Sequence, residues 1–141
     1  MTDPTVTDAA SLRTILTETR SIAIVGASAD RARPSNEIYR YLAGTGAYAL
    51  YLVNPTIREV DGVAVYPKLA DLPVIPDLVD VFRRRDQLPA VLAEVLALTP
   101  HPRTLWLQSG LRDAQVARDA AAAGLQVVMD RCIKVEHSRL G

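Results

Sequence analysis

Short apolar runs alternate with amphipathic stretches along almost the whole chain, and no other feature restricts its fold as much. The runs Ser21–Val25, Tyr48–Val53, Val63–Tyr66, Asp77–Phe82, Thr104–Leu107 and Gln126–Met129 read as strands. The first is apolar and β-branched, as a buried parallel strand should be. Asp8 is placed to cap a first helix with Leu12, Ile15 and Leu16 on one face, after a loose tail over Met1–Thr7. From Ser35, Ile38, Tyr41 and Leu42 recur at helical spacing up to the Gly44–Gly46 pair. Asp86 is expected to cap a helix running to about Leu98, and Asp113–Ala123 reads as an Ala-rich helix ended by Gly124. Thr56–Gly62 reads as a polar connection, and a helical turn is expected around Leu69–Leu72 within a proline-rich one. Strands alternating with helices predict an α/β fold: a doubly wound, mostly parallel sheet between two helical layers, in a single domain. Residues 1–20 form its N-terminal tail and helix, and residues 21–141 its body.

At 141 residues the chain is long enough for one substantial core. The 16 basic residues balance the 16 acidic ones, which removes any global electrostatic case for nucleic acid or an anionic membrane, so an anion site has to be local. A single cysteine, Cys132, rules out an internal disulfide and fits a reducing compartment. The polar N-terminus has no apolar leader, and no apolar run is long enough to span a bilayer, so a cytoplasmic location is expected. Self-association is left open.

Function points to one corner. The strand Ser21–Val25 runs into Gly26, then the small polar loop Ala27, Ser28, Ala29 and Asp30, then a helix start at Pro34–Glu37. Strand, glycine turn and helix N-terminus make the anion-favouring corner of a doubly wound fold. Only Gly26 of the G-x-G-x-x-G fingerprint is present, so the corner alone is equally a plain connection. In such a sheet ligands lie beyond the carboxyl ends of the strands, where strand order reverses. That rule sets Gly26–Arg33 opposite Phe82–Arg85 and adds Asn54-Pro55 and Gln108-Ser109-Gly110 to the same rim. Arg83 and Arg84 suit phosphate oxygens, though a solvated charge cluster is the plainer reading of the run. An NAD site expects an acidic residue about 20 positions past the glycine turn, at the end of the second strand, and Asn54 stands there instead.

Catalytic signals are thin. His101 and His137 have no partner the sequence can place, and no metal-ligand spacing, P-loop or nucleophile elbow occurs. Cys132 lies between Arg131 and Lys134, whose charges would favour a reactive thiolate, against the plainer reading of a half-buried structural thiol.

The segments IAIVGAS (Ile22–Ser28), RPS (Arg33–Ser35), VNP (Val53–Pro55), VYPKLADLP (Val65–Pro73), DLVDVFRR (Asp77–Arg84) and MDRCIKVEH (Met129–His137) resemble the small single-domain CoA-binding proteins. That family has a Rossmann domain similar to the N-terminal domain of the succinyl-CoA synthetase α subunit. The resemblance implies coenzyme A in the strand-end crevice. Gly26, Ala27 and Ser28 would cradle the pyrophosphate, with Arg33 and Ser35 nearby. Val53, Asn54 and Pro55 would border the adenosine, with Phe82, Arg83 and Arg84 opposite. Gln108, Ser109 and Gly110 would flank the pantetheine arm, and Cys132 and Lys134 close the site. The larger synthetases use a phosphohistidine on a second domain that this chain lacks, so the resemblance supports binding of CoA or an acyl-CoA rather than ligase activity. Two other readings compete: a small NAD(P)-linked or thiol-redox enzyme using Cys132, and a regulatory subunit whose nucleotide corner is vestigial.

Overall fold

A computed structural model, described here for residues 3–140, has seven strands and five α-helices in one α/β domain. The strands are β1 (Ser21–Val25), β2 (Ala49–Val53), β3 (Glu59–Val60), β4 (Val63–Tyr66), β5 (Leu78–Val81), β6 (Thr104–Leu107) and β7 (Gln126–Val128). The helices are α1 (Ala9–Glu18), α2 (Pro34–Thr45), α3 (Leu88–Leu96), α4 (Ala114–Ala122) and α5 (Ile133–Ser138). Sheet order is β3-β4-β2-β1-β5-β6-β7, all parallel except the β3–β4 pair. The chain therefore leaves β1 towards one edge and returns to its other side as β5. The order reverses there, as the doubly wound rule requires.

Period-2 alternation divides the apolar side chains between the two faces. Ala23, Val25, Val79, Val81, Leu105 and Leu107 pack beneath α3 and α4. Ile22, Ile24, Leu52, Leu78, Trp106 and Val128 pack against α1, α2 and α5. Leu12, Ile15 and Leu16 of α1 belong to this second core, and Asp8 caps the helix by accepting from Ser11 N–H at 2.9 Å. The segment before α1 was expected to be loose. Met1 and Thr2 lie outside the described residues, but Val6 N–H donates to the Val127 carbonyl at 2.8 Å and the Thr7 carbonyl accepts from Arg131. An apolar Val6 over the second core gives the tail something to bury.

Three local expectations are corrected. Glu59–Val60, read as connection, forms β3, because Asp61 and Gly62 take positive φ (48° and 80°) and turn a tight hairpin into β4. Asp86 does not cap α3: a 3₁₀ turn over Arg85–Gln87 comes first, Asp86 pairs with Arg84, and the α-helix starts where Pro89 fits its first turn. Tyr48 precedes β2 and anchors it instead, its hydroxyl donating to the Leu16 carbonyl at 2.8 Å.

Two positions in the sheet centre are unusual. Gly26 has φ +94°, and a Cβ there would sit 2.7 Å from the Phe82 carbonyl oxygen, so the turn after β1 and the end of β5 approach as closely as only glycine permits. Asp80 occupies the middle of β5 between its register partners Ile24 and Trp106, and it is fully buried with both carboxylate oxygens unpartnered. Burial pushes its carboxyl well above the ordinary aspartate range, which favours the neutral acid.

Gly26→Ala is expected to destabilise the domain by at least about 1–2 kcal/mol from backbone conformation alone, before the clash with Phe82 adds to it, in chemical denaturation. For Asp80, the unfolded chain ionises above its ordinary pKa while the folded chain stays protonated. Stability should therefore fall as pH rises from about 4, by up to about 1.4 kcal/mol per pH unit, until the raised folded pKa is passed. Asp80→Asn should flatten that decline, gaining on the wild type as pH rises above about 4. Parallel profiles for the two proteins would show that the buried carboxyl is already ionised.

Candidate functional site

The carboxyl ends of β1, β2, β5 and β6 open into one cleft of about 660 Å³ at the point where strand order reverses. Its floor is the glycine turn. Gly26 and Ala27 N–H both donate to the Val53 carbonyl, at 2.9 and 3.2 Å, and Phe82 N–H donates to the Val25 carbonyl at 2.8 Å. These bonds fix the ends of β2 and β5 to the end of β1.

Two asparagines hold the loop above this floor. Asn54 donates its amide to the Ala27 carbonyl at 2.7 Å, while its own oxygen accepts from the backbone and hydroxyl of Thr56. Asn36, buried in the first turn of α2, donates to the Ser28 carbonyl at 2.8 Å. Asp30 accepts from Ala32 N–H through its carboxylate and donates its own N–H to the Ser28 hydroxyl, closing the loop on itself. Asn54, at the place where an NAD site has its acid, thus braces the glycine turn.

The walls supply donors and charge. Arg33 is the N-cap of α2 and makes no side-chain cap, so the positive end of the helix is uncapped where Pro34 and Ser35 face the cleft, and Glu37 of its first turn is bonded to Lys134. The N–H groups of Ser28 and Ser109 have no acceptor among the described residues. Ser35 is only 4% exposed, and its hydroxyl has no partner among them either. Opposite, Arg83 is half-buried, lies over Gly26 and forms no ion pair among the described residues. Arg33 by contrast is well exposed and 3.9 Å from Asp30.

The β6–β7 side is braced by carboxylates. Asp130, in the left-handed region (φ 56°), accepts from Gly110 N–H at 2.6 Å and from Arg112 at 3.1 Å, and these bonds hold its carboxyl below the usual range. Gln108 accepts from Ile133 N–H at 3.0 Å, tying the start of α5 to the end of β6. Lys134 pairs with Glu37 of α2 at 2.9 Å, and Arg131 with the buried Glu136 at 3.5 Å.

Of the residues proposed from sequence, Gly26, Ala27, Ser28, Arg33, Ser35, Asn54, Phe82, Arg83, Gln108, Ser109 and Cys132 line this cleft. Arg84 lines a smaller adjoining recess with Gln87. Val53, Pro55, Gly110 and Lys134 do not line it. The Val53 side chain is in the core and only its carbonyl serves the turn, while Gly110 and Lys134 are bonded to Asp130 and Glu37. Glu37, Ile38, Ile57 and Leu111 line the cleft and were not foreseen. Ile38 reads in sequence as a core position of α2, and nothing in its spacing reports that its end reaches the opening.

Among the described residues no cluster of side chains could hold a metal ion, and no helix is long and apolar enough to cross a membrane. Comparison with known proteins gives the family. The chain is 37% identical over 129 residues to an uncharacterised protein, YneT, of Bacillus subtilis, covering 92% of this chain and 93% of the relative. A Thermus thermophilus structure, cell-free ID.343, superposes with a TM-score of 0.88 at 39% identity, over 96% of this chain and 100% of the other. The dinucleotide-forming acetyl-coenzyme A synthetase 1 of Ca. Korarchaeum cryptofilum gives 0.69 at 26% identity, over 79% of this chain and 26% of that enzyme. A family model described as a CoA binding domain matches residues 20–138, nearly the whole chain, and the protein therefore belongs to the CoA-binding domain family.

Proposed function

We propose that the protein binds coenzyme A or an acyl-CoA in the cleft at the carboxyl ends of β1, β2, β5 and β6, as a cytoplasmic binding protein without catalytic groups of its own. The observation that carries this reading is the facing pair formed by the uncapped N-terminus of α2 and the unpaired Arg83, set either side of Gly26. The helix end supplies partial positive charge and the guanidinium a full one, and only a glycine between them lets a ligand backbone come close. A pyrophosphate suits that gap. Asn54 and Ile57 would border the adenosine, and Gln108, Ser109 and Leu111 the pantetheine arm.

The geometry favours CoA over NAD for a specific reason. The amide of Asn54 is already committed to the Ala27 carbonyl, so the residue that would have to hold the ribose hydroxyls is engaged and carries no charge. The family membership and the likeness to a synthetase domain support the same ligand.

Thermal unfolding with CoA, dephospho-CoA, NAD and NADP in parallel tests the reading. CoA at about a hundred times its Kd should stabilise by about 2.7 kcal/mol, with less from dephospho-CoA and none from NAD. A response to NAD or NADP alone would replace the proposal with an oxidoreductase, and no response to any ligand would mark the corner as vestigial. Arg83→Ala should weaken CoA binding by about tenfold at low ionic strength and by less at high salt, because a partly exposed phosphate contact is screened. Arg84→Ala should lose less, since Arg84 is exposed and already paired with Asp86. Equal losses from the two variants in calorimetric titration would contradict the placement of the phosphates.

A further inference from the structure

Cys132 is the chain's only cysteine, and it lines the same cleft, half-buried, at the N-cap of α5. Its place is fixed on both sides. Ile133 N–H is held by Gln108, Lys134 is held by Glu37 of α2, and Arg131 is held by Glu136 and the Thr7 carbonyl. The thiol is thus held in place at the cleft.

The cleft points to a ligand independently of this thiol. The Ser35 hydroxyl, 4% exposed, lines it without a partner. Gln108 is 6% exposed, its oxygen is used by Ile133, and its amide NH₂ has no acceptor among the described residues. Neither group is sealed in the core, where the unpartnered side-chain atoms among the described residues are the Asp80 oxygens, so both are open to the cleft and free to bond a ligand. Arg83 and Gly26 lie at the β1–β5 sector, whereas Gln108, Leu111 and Cys132 lie towards β6 and β7. A ligand with phosphates at one end and a sulfur at the other would run between the two sectors, and this inference rests on the CoA reading proposed above.

We propose that Cys132 undergoes thiol–disulfide exchange with a disulfide of CoA, so that CoA is retained in the cleft as a mixed disulfide with this chain. The Cys132 sulfur, having lost its proton, attacks the CoA-side sulfur of CoA–S–S–R. The Sγ–S bond to CoA forms as the original S–S bond breaks. The electron pair leaves on R–S⁻, which takes up a proton, so Cys132 is oxidised and R–S–H is the reduced product. With CoA disulfide itself, R–S–H is a second CoA. Since the chain has no second cysteine to resolve the adduct, release needs an external thiol. This makes the occupied state a record of the disulfide status of the CoA pool.

Intact-protein mass spectrometry of the wild-type chain tests this directly, because any disulfide adduct must be on Cys132. With CoA disulfide the expected product gains the mass of one CoA less two hydrogens and reverts with reductant. It should form at least about tenfold faster than the adduct from glutathione disulfide, because binding raises the local concentration of the reacting sulfur. Desulfo-CoA, which lacks the thiol, should abolish the rate advantage of CoA disulfide by competing for the cleft. No CoA adduct, or equal rates insensitive to desulfo-CoA, overturns the exchange. If CoA still raises the unfolding midpoint in that case, the binding proposal stands alone; if it does not, both fall.

Discussion

Everything at this site depends on how closely the turn after β1 approaches the end of β5. The Phe82 carbonyl oxygen would be 2.7 Å from any Cβ at position 26, and Gly26 adopts a left-handed φ of +94° to make the approach. That contact pins the end of β5 against the glycine turn at the place where strand order reverses. It also lays Arg83 across the turn, since the carbonyl that touches Gly26 belongs to the preceding residue. The backbone bonds from Gly26 and Ala27 to Val53 and the side-chain bonds from Asn54 and Asn36 keep the loop in that position. The geometry of the cleft is thus set by main chain and by residues that are themselves bonded, as preorganisation of a site requires.

A chain with no net charge can still favour an anion locally, through which of its charges are already paired. Most cations around the cleft are compensated: Arg33 lies near Asp30, Lys134 is bonded to Glu37, and Arg131 is bonded to Glu136. Arg83 forms no ion pair among the described residues, and the positive end of α2 has no side-chain cap, the Glu37 of its first turn being bonded to Lys134. Local imbalance can do what net charge does not, so a balanced composition leaves room for a phosphate ligand.

Much of this was legible in the sequence because the relevant signals are local. Ser21–Val25 and Thr104–Leu107 match their strands residue for residue, and Asp8, Asp113 and Gly46 terminate helices as short-range chemistry dictates. The rim residues followed from the rule that parallel strands deliver their carboxyl ends to one side. What escaped was set by pairing and competition between residues, near or distant, that single positions do not report. The Asp61-Gly62 hairpin has a sequence signal, but β3 is two residues long and its pairing exists only against β4. Asp86 looks like a cap until Arg84 competes for it. Asn54 reads as a strand-ending turn, and only the fold brings it within 2.7 Å of a carbonyl 27 positions earlier. Asp80 is hidden within an apolar run, and its burial between Ile24 and Trp106 is a property of the finished sheet.

The measurement closest to the account is an amide NMR titration of the ¹⁵N-labelled protein with CoA. The largest shifts should fall on Gly26, Ser28 and Ser35, on Arg83, and on Gln108 and Ser109, with β3, β4 and the far ends of the helices unmoved. Shifts centred on another surface, or none at ligand concentrations that saturate other CoA-binding proteins, would contradict a site built on the Gly26–Phe82 contact.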